Sequence, residues 1–314
     1  MKSAAVPTHQ SVLLAESLDG LQLTATDFIV DCTFGRGGHS LAVLERLGAA
    51  GRLLAMDKDL EATRSAEALA LSDDSRFKLV HSSFANLKVE VDRLGWFGKV
   101  SGILMDLGVS SPQLDRAERG FSFLREGPLD MRMNATQGET AAEWLESVSE
   151  QELADVLYQY GEERFGRRIA HSIVTQRVRK PITSTGDLVR LIEEAVPTRE
   201  KGKHPATRSF QAIRIKINRE LAELESGLTQ ALEVLKPGGR LVVISFHSLE
   251  DRIVKRFMRD QERGWCAGDS RYLIQQPETT RLRRIGKALK PGETELRANI
   301  RSRSAVLRVA EKKG

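Results

Sequence analysis

Three apolar runs in this chain each end in an aspartate: Phe28-Ile-Val-Asp31, Arg52-Leu-Leu-Ala-Met-Asp57 and Ser101-Gly-Ile-Leu-Met-Asp106. A glycine-rich turn, Thr33-Phe-Gly-Arg-Gly-Gly-His39, follows the first, and a helix-like segment begins at Ser40. Glycine at a strand-to-helix turn removes the Cβ that would keep a ligand away from backbone N–H groups. An acid about 20 residues past the glycines, at the end of the second strand, is where a dinucleotide-type domain holds ribose hydroxyls. Asp57 stands there. The chemistry these residues suit is the binding of an adenosine-containing cofactor. Asp106 leads into Leu-Gly-Val-Ser-Ser-Pro-Gln113. An acid at a strand's carboxyl end, beside a Gly/Ser/Pro loop, can accept hydrogen bonds from an amine.

The dinucleotide fingerprint G-x-G-x-x-G is incomplete here, because Ser40 occupies the third glycine position. S-adenosylmethionine carries no pyrophosphate and needs only a tight glycine turn and an acid for its ribose. The strand–glycine–acid series, and the helix-Lys236-Pro-Gly-Gly-strand segment, resemble Rossmann-fold methyltransferases and favour this methyl donor over a nicotinamide cofactor. Amino-methyltransferases commonly carry Asp/Asn-Pro-Pro-aromatic after the fourth strand. Ser110-Ser-Pro112 has neither the double proline nor the aromatic, so the motif alone favours a nucleobase amine only moderately.

The elements that must position these residues alternate. Residues 28–32, 52–57, 77–81 and 101–106 read as strands, with helices over 40–47 and 59–71, the pattern of a parallel sheet covered on both faces. Residues 120–130 read as loop. Helices are predicted over 141–147, 150–160, 162–178 and 185–196 with no strand alternation, which marks an inserted all-helical domain. A long helix over 218–235 carries Leu221, Leu224, Leu228, Leu232 and Leu235 on one face. A strand at 240–246, a helix at 249–258 and a last strand at 304–310 complete the series. The expected fold class is α/β, a Rossmann-like class I methyltransferase sheet over 1–114 and 216–314, with a helical substrate-recognition domain at 115–215.

Composition is consistent with this. The 314 residues are 40% hydrophobic, enough for a packed core. No apolar run reaches the roughly 18 residues needed to span a membrane, and Met1–His9 lacks the apolar stretch of a signal peptide. Cys32 and Cys266 are far apart and make no metal spacing or disulfide framework, so a reducing cytoplasm is the default compartment. Net charge is only +5. Local clusters say more: Arg164, Arg167, Arg168, Arg177, Arg179 and Lys180 occur without an acid among them, and residues 281–303 hold eight basic side chains against Glu293 and Glu295. Either phosphate contacts or a solvated surface accounts for each.

Thr33-Phe-Gly-Arg-Gly-Gly-His-Ser40, Asp106-Leu-Gly-Val-Ser-Ser-Pro-Gln-Leu-Asp115, Glu118-Arg-Gly-Phe-Ser-Phe123, Gly127-Pro-Leu-Asp-Met-Arg-Met133, Tyr160-Gly-Glu-Glu-Arg-Phe165, His204-Pro-Ala-Thr-Arg208 and Ser245-Phe-His-Ser-Leu-Glu-Asp-Arg252 together resemble the RsmH (MraW) family. The match is ordered and spread over nearly the whole chain. It implies a bacterial enzyme that methylates N4 of a cytidine in the decoding region of 16S rRNA, within the small subunit or its precursor, using S-adenosylmethionine. It implies cofactor contacts at Gly37, Gly38, His39, Asp57, Phe84, Asp106 and Gln113, with no metal. Phe84 is placed to stack beside adenine. Asp106 is the candidate catalytic residue: it can hold the cofactor's amino end, polarise the target amine, or do both. Where the family usually has glycine, this chain has Cys32, a small residue that is not read as a nucleophile. His247 and Glu250 follow a strand end, with a structural role favoured for the histidine. Loop 120–133 suits either stacking on a flipped cytosine or packing. Arg208, Arg214, Lys216 and Arg219 are candidates for an RNA channel or for surface solubility. A homodimer is compatible with the family, and no interface is legible. A DNA amine methyltransferase, a non-catalytic assembly factor and, last, a nicotinamide dehydrogenase are the alternatives.

Overall fold

The computed structural model describes residues 11–198, 202, 204–264 and 280–314. Met1–His9 and Cys266 lie outside the described residues. The chain divides into two compact units: residues up to Gly108 together with Leu221 onward, and Val109–Glu220.

The first unit is built on seven strands: β1 (Phe28–Asp31), β2 (Arg52–Asp57), β3 (Phe77–His81), β4 (Val100–Asp106), β5 (Leu235–Ser245), β6 (Leu282–Leu289) and β7 (Val306–Lys312). Their order is β3-β2-β1-β4-β5-β7-β6. Strands β1 to β5 pair in parallel, and β7 runs antiparallel to both β5 and β6. Side chains alternate across the pleat. Ile29, Leu53, Leu104, Val242 and Ile244 bury one face together with residues of the helices Leu14–Leu21 and Gly38–Arg46. Val30, Leu54, Ile103, Met105, Leu241 and Val243 bury the other with the helices Leu87–Arg93, Glu220–Val234 and Ser248–Arg263. The order reverses between β1 and β4, the place where an open α/β sheet forms its ligand crevice.

The second unit is helical: Ser111–Asp115, Ala141–Ser147, Glu150–Gly161, Gly166–Arg179, Thr185–Ala195 and Ala206–Asn218. Its core gathers Trp144, Leu157, Ile169, Ile173, Leu188, Ile192, Phe210 and Ile213. Residues 120–134 contain no helix or named strand, yet Phe121, Leu129, Met131 and Met133 are buried. Arg119, itself buried, donates to the carbonyls of Arg132 and Met133, and Asn218 bonds both Met131 O and Met133 N. In this unit the loop behaves as packed structure.

Several expected elements end elsewhere. The helix expected over 59–71 is two short ones, Leu60–Thr63 and Ala66–Leu71, because Asp59 and Ser65 each cap a new N-terminus. The helix expected from 162 begins at Gly166, since Glu162 is left-handed (φ 50°) and the carboxylate of Glu163 accepts from Phe165 N. The helix expected from 218 begins at Glu220, because Arg219 is left-handed (φ 53°) and closes a helix that runs from Ala206 to Asn218. That helix and β6 are absent from the sequence reading.

Candidate active site at the carboxyl ends of β1, β2 and β4

The glycine loop is shaped by its own backbone. Gly35 and Gly37 have φ of 55° and 73°, a region costly for residues with a Cβ. A Cβ on Gly37 would stand 2.8 Å from the Phe34 ring, and one on Gly38 would stand 2.1 Å from Ser11 Oγ. The helix that follows starts on Gly38, two residues before the expected Ser40, with Gly37 as its cap.

Asp31 organises the loop from beneath. Its Oδ1 accepts from Thr33 N at 3.1 Å and its Oδ2 from Ser40 Oγ at 2.7 Å. It is almost fully buried, and burial raises its pKa against the opposing pull of His39, Ser40 and Thr33. Asp57 closes the loop from the side: Oδ2 accepts from Gly35 N at 2.7 Å and Oδ1 from Asp59 N at 2.8 Å. Burial pushes its pKa up to about 6, against those two hydrogen bonds. Each oxygen keeps a further lone pair for a ribose hydroxyl.

The chain changes partner at this point. Cys32 N still bonds Leu104 O of β4 at 2.9 Å, whereas Phe34 N bonds Met56 O of β2 at 2.9 Å. Thr33 stands at the divergence, and its Oγ1 accepts from Asp106 N at 2.7 Å. Asp106 Oδ2 lies 3.7 Å from His39 Nδ1, too far for a hydrogen bond. His39 is itself buried, which lowers its pKa against the raising effect of Asp31, so the ring is neutral at neutral pH. The carboxyl of Asp106 is raised well above the usual range by burial first, then by the charges of Asp31 and Glu250. A quarter of its side-chain surface (25%) stays open, which moderates that rise. Asp106 Oδ1 and His39 Nε2 are both buried without a hydrogen-bond partner. An orphaned acceptor on an acid is the feature that awaits a donor such as an amine.

Phe84 lies in the short turn after β3, against the helix 220–234, where a Cβ on Gly227 would meet its ring at 2.7 Å. Glu223 on that helix joins the loops after β2 and β3. It accepts from Lys58 Nζ at 2.8 Å and from Ser83 Oγ at 2.7 Å, so the neighbours of Asp57 and Phe84 share one carboxylate. Sequence reading missed Glu223, Lys58, Ser83 and Thr33. The glycine cradle, the acid at 57 and the open acceptor at 106 fit an adenosyl cofactor with a cationic amino-acid end.

The other candidates stand as follows. Gln113 belongs to the helical unit, where its Oε1 accepts from Ser110 N at 2.9 Å in a capping box for Ser111–Asp115. Glu250 caps the helix Ser248–Arg263 by accepting from Phe246 N at 2.8 Å and His247 N at 3.3 Å, and His247 Nε2 lies 3.1 Å from its other oxygen. Arg214 pairs with Glu220 and Lys216 with Glu152, both at 2.8 Å. Arg177 donates to Leu145 O and Val148 O at 2.7 Å. Cys32 is buried and its thiol is pushed well up by burial and by Asp31, the opposite of an activated nucleophile. No helix among the described residues is long and apolar enough to cross a membrane.

Comparison with known proteins agrees with the geometry. The profile of the MraW methylase family matches residues 7–313. A Methylococcus capsulatus protein named ribosomal RNA small subunit methyltransferase H is 61% identical over 302 residues, covering 96% of this chain and 99% of the relative. Proteins of the same name from Alteromonas mediterranea and Pseudoalteromonas atlantica are each 54% identical; the alignments cover 97% of this chain and of the first relative, and 98% of this chain and of the second. The glycine loop, the three strand-end acids and this near-complete match lead to one conclusion: the chain belongs to the MraW methylase family.

Proposed function

We propose that this protein transfers the methyl group of S-adenosylmethionine to the exocyclic N4 of a cytidine in the decoding region of 16S rRNA, with the small ribosomal subunit or its precursor as the particle it acts on. Small-subunit rRNA methylation is the activity named for relatives at 54–61% identity over nearly their whole length. Asp106 carries the amine chemistry of this reading: its Oδ1 is buried, has no protein partner, and stands at the end of β4.

When bound, the cofactor supplies an electrophilic methyl on a sulfonium. The residues do the rest. Gly37, Gly38 and His39 form the turn that lets the donor approach the backbone. Asp57 receives ribose hydroxyls, and Phe84 lies beside the base. The N4 lone pair of cytosine is delocalised into the ring and is weakly nucleophilic. Asp106, accepting an N4–H, localises that lone pair and aligns it for in-line attack. The positive charge that develops on nitrogen falls next to the carboxylate, and the proton leaves toward it.

The test is transfer of labelled methyl to small subunits from cells lacking the gene, with the product nucleoside identified after digestion. N4-methylated cytidine is the expected product. Transfer to duplex DNA in preference to rRNA, or cofactor binding with no transfer to any assembly intermediate, overturns the reading.

A further inference from the structure

We propose that Thr33 is a positioning residue for Asp106, its hydroxyl replacing the missing rung between β1 and β4 and so fixing the reactive carboxylate at the edge of the crevice. The inference rests on the amine role of Asp106 proposed above.

In a parallel pair each strand's amides find carbonyls on the neighbour. The β1–β4 ladder runs through Ile29, Val30 and Asp31, paired with Gly102, Ile103 and Leu104. Its last backbone rung is Cys32 N to Leu104 O. Two residues further the β1 backbone has left for β2, with Phe34 N on Met56 O. That departure opens the crevice, and it removes the carbonyl that Asp106 N would otherwise use. An unpaired amide at the end of a buried strand would let that end relax toward solvent. Thr33 Oγ1 takes the amide at 2.7 Å instead. The backbone N–H of the same residue donates to the Asp31 carboxylate at 3.1 Å. Asp31 is anchored in turn by Ser40 Oγ at 2.7 Å. The backbone of Asp106 is thus tied, through the side chain and the amide of one residue, to the acid beneath the glycine loop. Valine has threonine's shape and lacks the acceptor; serine keeps the acceptor and loses a methyl.

The test compares Thr33→Val with Thr33→Ser in steady-state methyl transfer to small subunits, with calorimetric cofactor affinity measured in parallel. Thr33→Val is expected to lower kcat about tenfold, because misplacement of a reacting group by a fraction of an ångström acts on the barrier. KM for the subunit and cofactor affinity stay within about threefold, and Thr33→Ser returns most of the lost kcat. If Thr33→Val does not fold, Thr33→Cys, with its weak sulfur acceptor, takes its place in the comparison. Unchanged kcat in the variant lacking a strong acceptor overturns the inference. So does an equal loss in Thr33→Ser, or a loss of cofactor affinity that accounts for the whole effect. Asp106→Asn is run alongside. Wild-type enzyme that transfers no methyl to rRNA, or Asp106→Asn at full speed, strikes the function reading; an active wild type, an impaired Asp106→Asn and a normal Thr33→Val strike this inference alone.

Discussion

Asp57 Oδ2 accepts the amide proton of Gly35 at 2.7 Å, so the acid ending β2 and the turn leaving β1 are one piece of structure. An acid that only contacted a ligand would be separable from the loop, but this one also shapes the turn. Replacing it removes both effects. Asp57→Ala is expected to weaken S-adenosylmethionine binding about 10- to 100-fold, the worth of hydrogen bonds to a charged acceptor. Titration calorimetry checks this, and unchanged affinity removes Asp57 from the site.

The same residue gives the site a pH dependence. Its carboxyl is pushed up to about 6 by burial. Between the ordinary value of 3.8 and about 6, the native state holds the proton more tightly than the unfolded chain. The contribution to folding stability is therefore fully present at low pH and is lost as pH rises through about 6. In the proposed site ribose hydroxyls would donate to the ionised form, so cofactor affinity is expected to move the other way. It should be about tenfold weaker at pH 5 than at pH 7.5, and the difference should vanish in Asp57→Asn. A flat profile for the wild type sinks the assignment.

The proposed role of Asp106 is tested through turnover. Asp106→Asn keeps the shape and loses the charge, and kcat for methyl transfer should fall about 100-fold. The wild-type carboxyl is raised by burial and by Asp31 and Glu250, so activity should still be climbing above the ordinary carboxylate range. A pH–rate profile already level at pH 5 contradicts this.

Gly37 tests the cradle without touching an acid. Its φ of 73° and the 2.8 Å approach to Phe34 leave no room for a methyl. Gly37→Ala should cost about 1–2 kcal/mol from the backbone conformation alone, read as a lower melting temperature together with weaker cofactor binding. A variant as stable as the wild type shows the turn to be more tolerant than its geometry.

Arg177 distinguishes surface charge from architecture. It lies in a basic run that suits phosphate contacts, yet it bonds two carbonyls at the end of the helix Ala141–Ser147. Arg177→Ala should cost about 1.5–3 kcal/mol of stability with the salt dependence of rRNA binding unchanged. A shallower salt slope at normal stability reverses the assignment.

Strands β1, β2, β3 and β4 were legible because each is an apolar run bounded by turn residues, and three end in an aspartate. The helical segments of the second unit were legible from the break residues at or near their ends, Ser149, Gly161, Pro181 and Gly186, and Ser149 accepts from the first turn of Glu150–Gly161. β6 was not: as an outer strand it exposes Arg283, Arg284 and Lys287, with no apolar alternation to read. The helix Ala206–Asn218 was hidden by its basic residues, of which Arg214 and Lys216 are paired with acids distant in sequence or across a turn. The site was legible in its types and not in its wiring. Nothing local in the sequence tells that Thr33 reaches Asp106, 73 positions on, or that Glu223 joins Lys58 to Ser83.

The strand order has a consequence for how such a chain is made. β7, the final strand in sequence, lies between β5 and β6. A nascent chain that has emerged only as far as β6 leaves the β5 edge without its neighbour, and β6 without the strand it pairs with among the described residues. Residues such as Val242 and Ile244, buried in the finished sheet, then lack the cover that Leu307 and Val309 provide. The methyl-donor half therefore closes only when its closing segment is threaded in, a long-range pairing of the slow kind that leaves a sticky edge exposed until it forms.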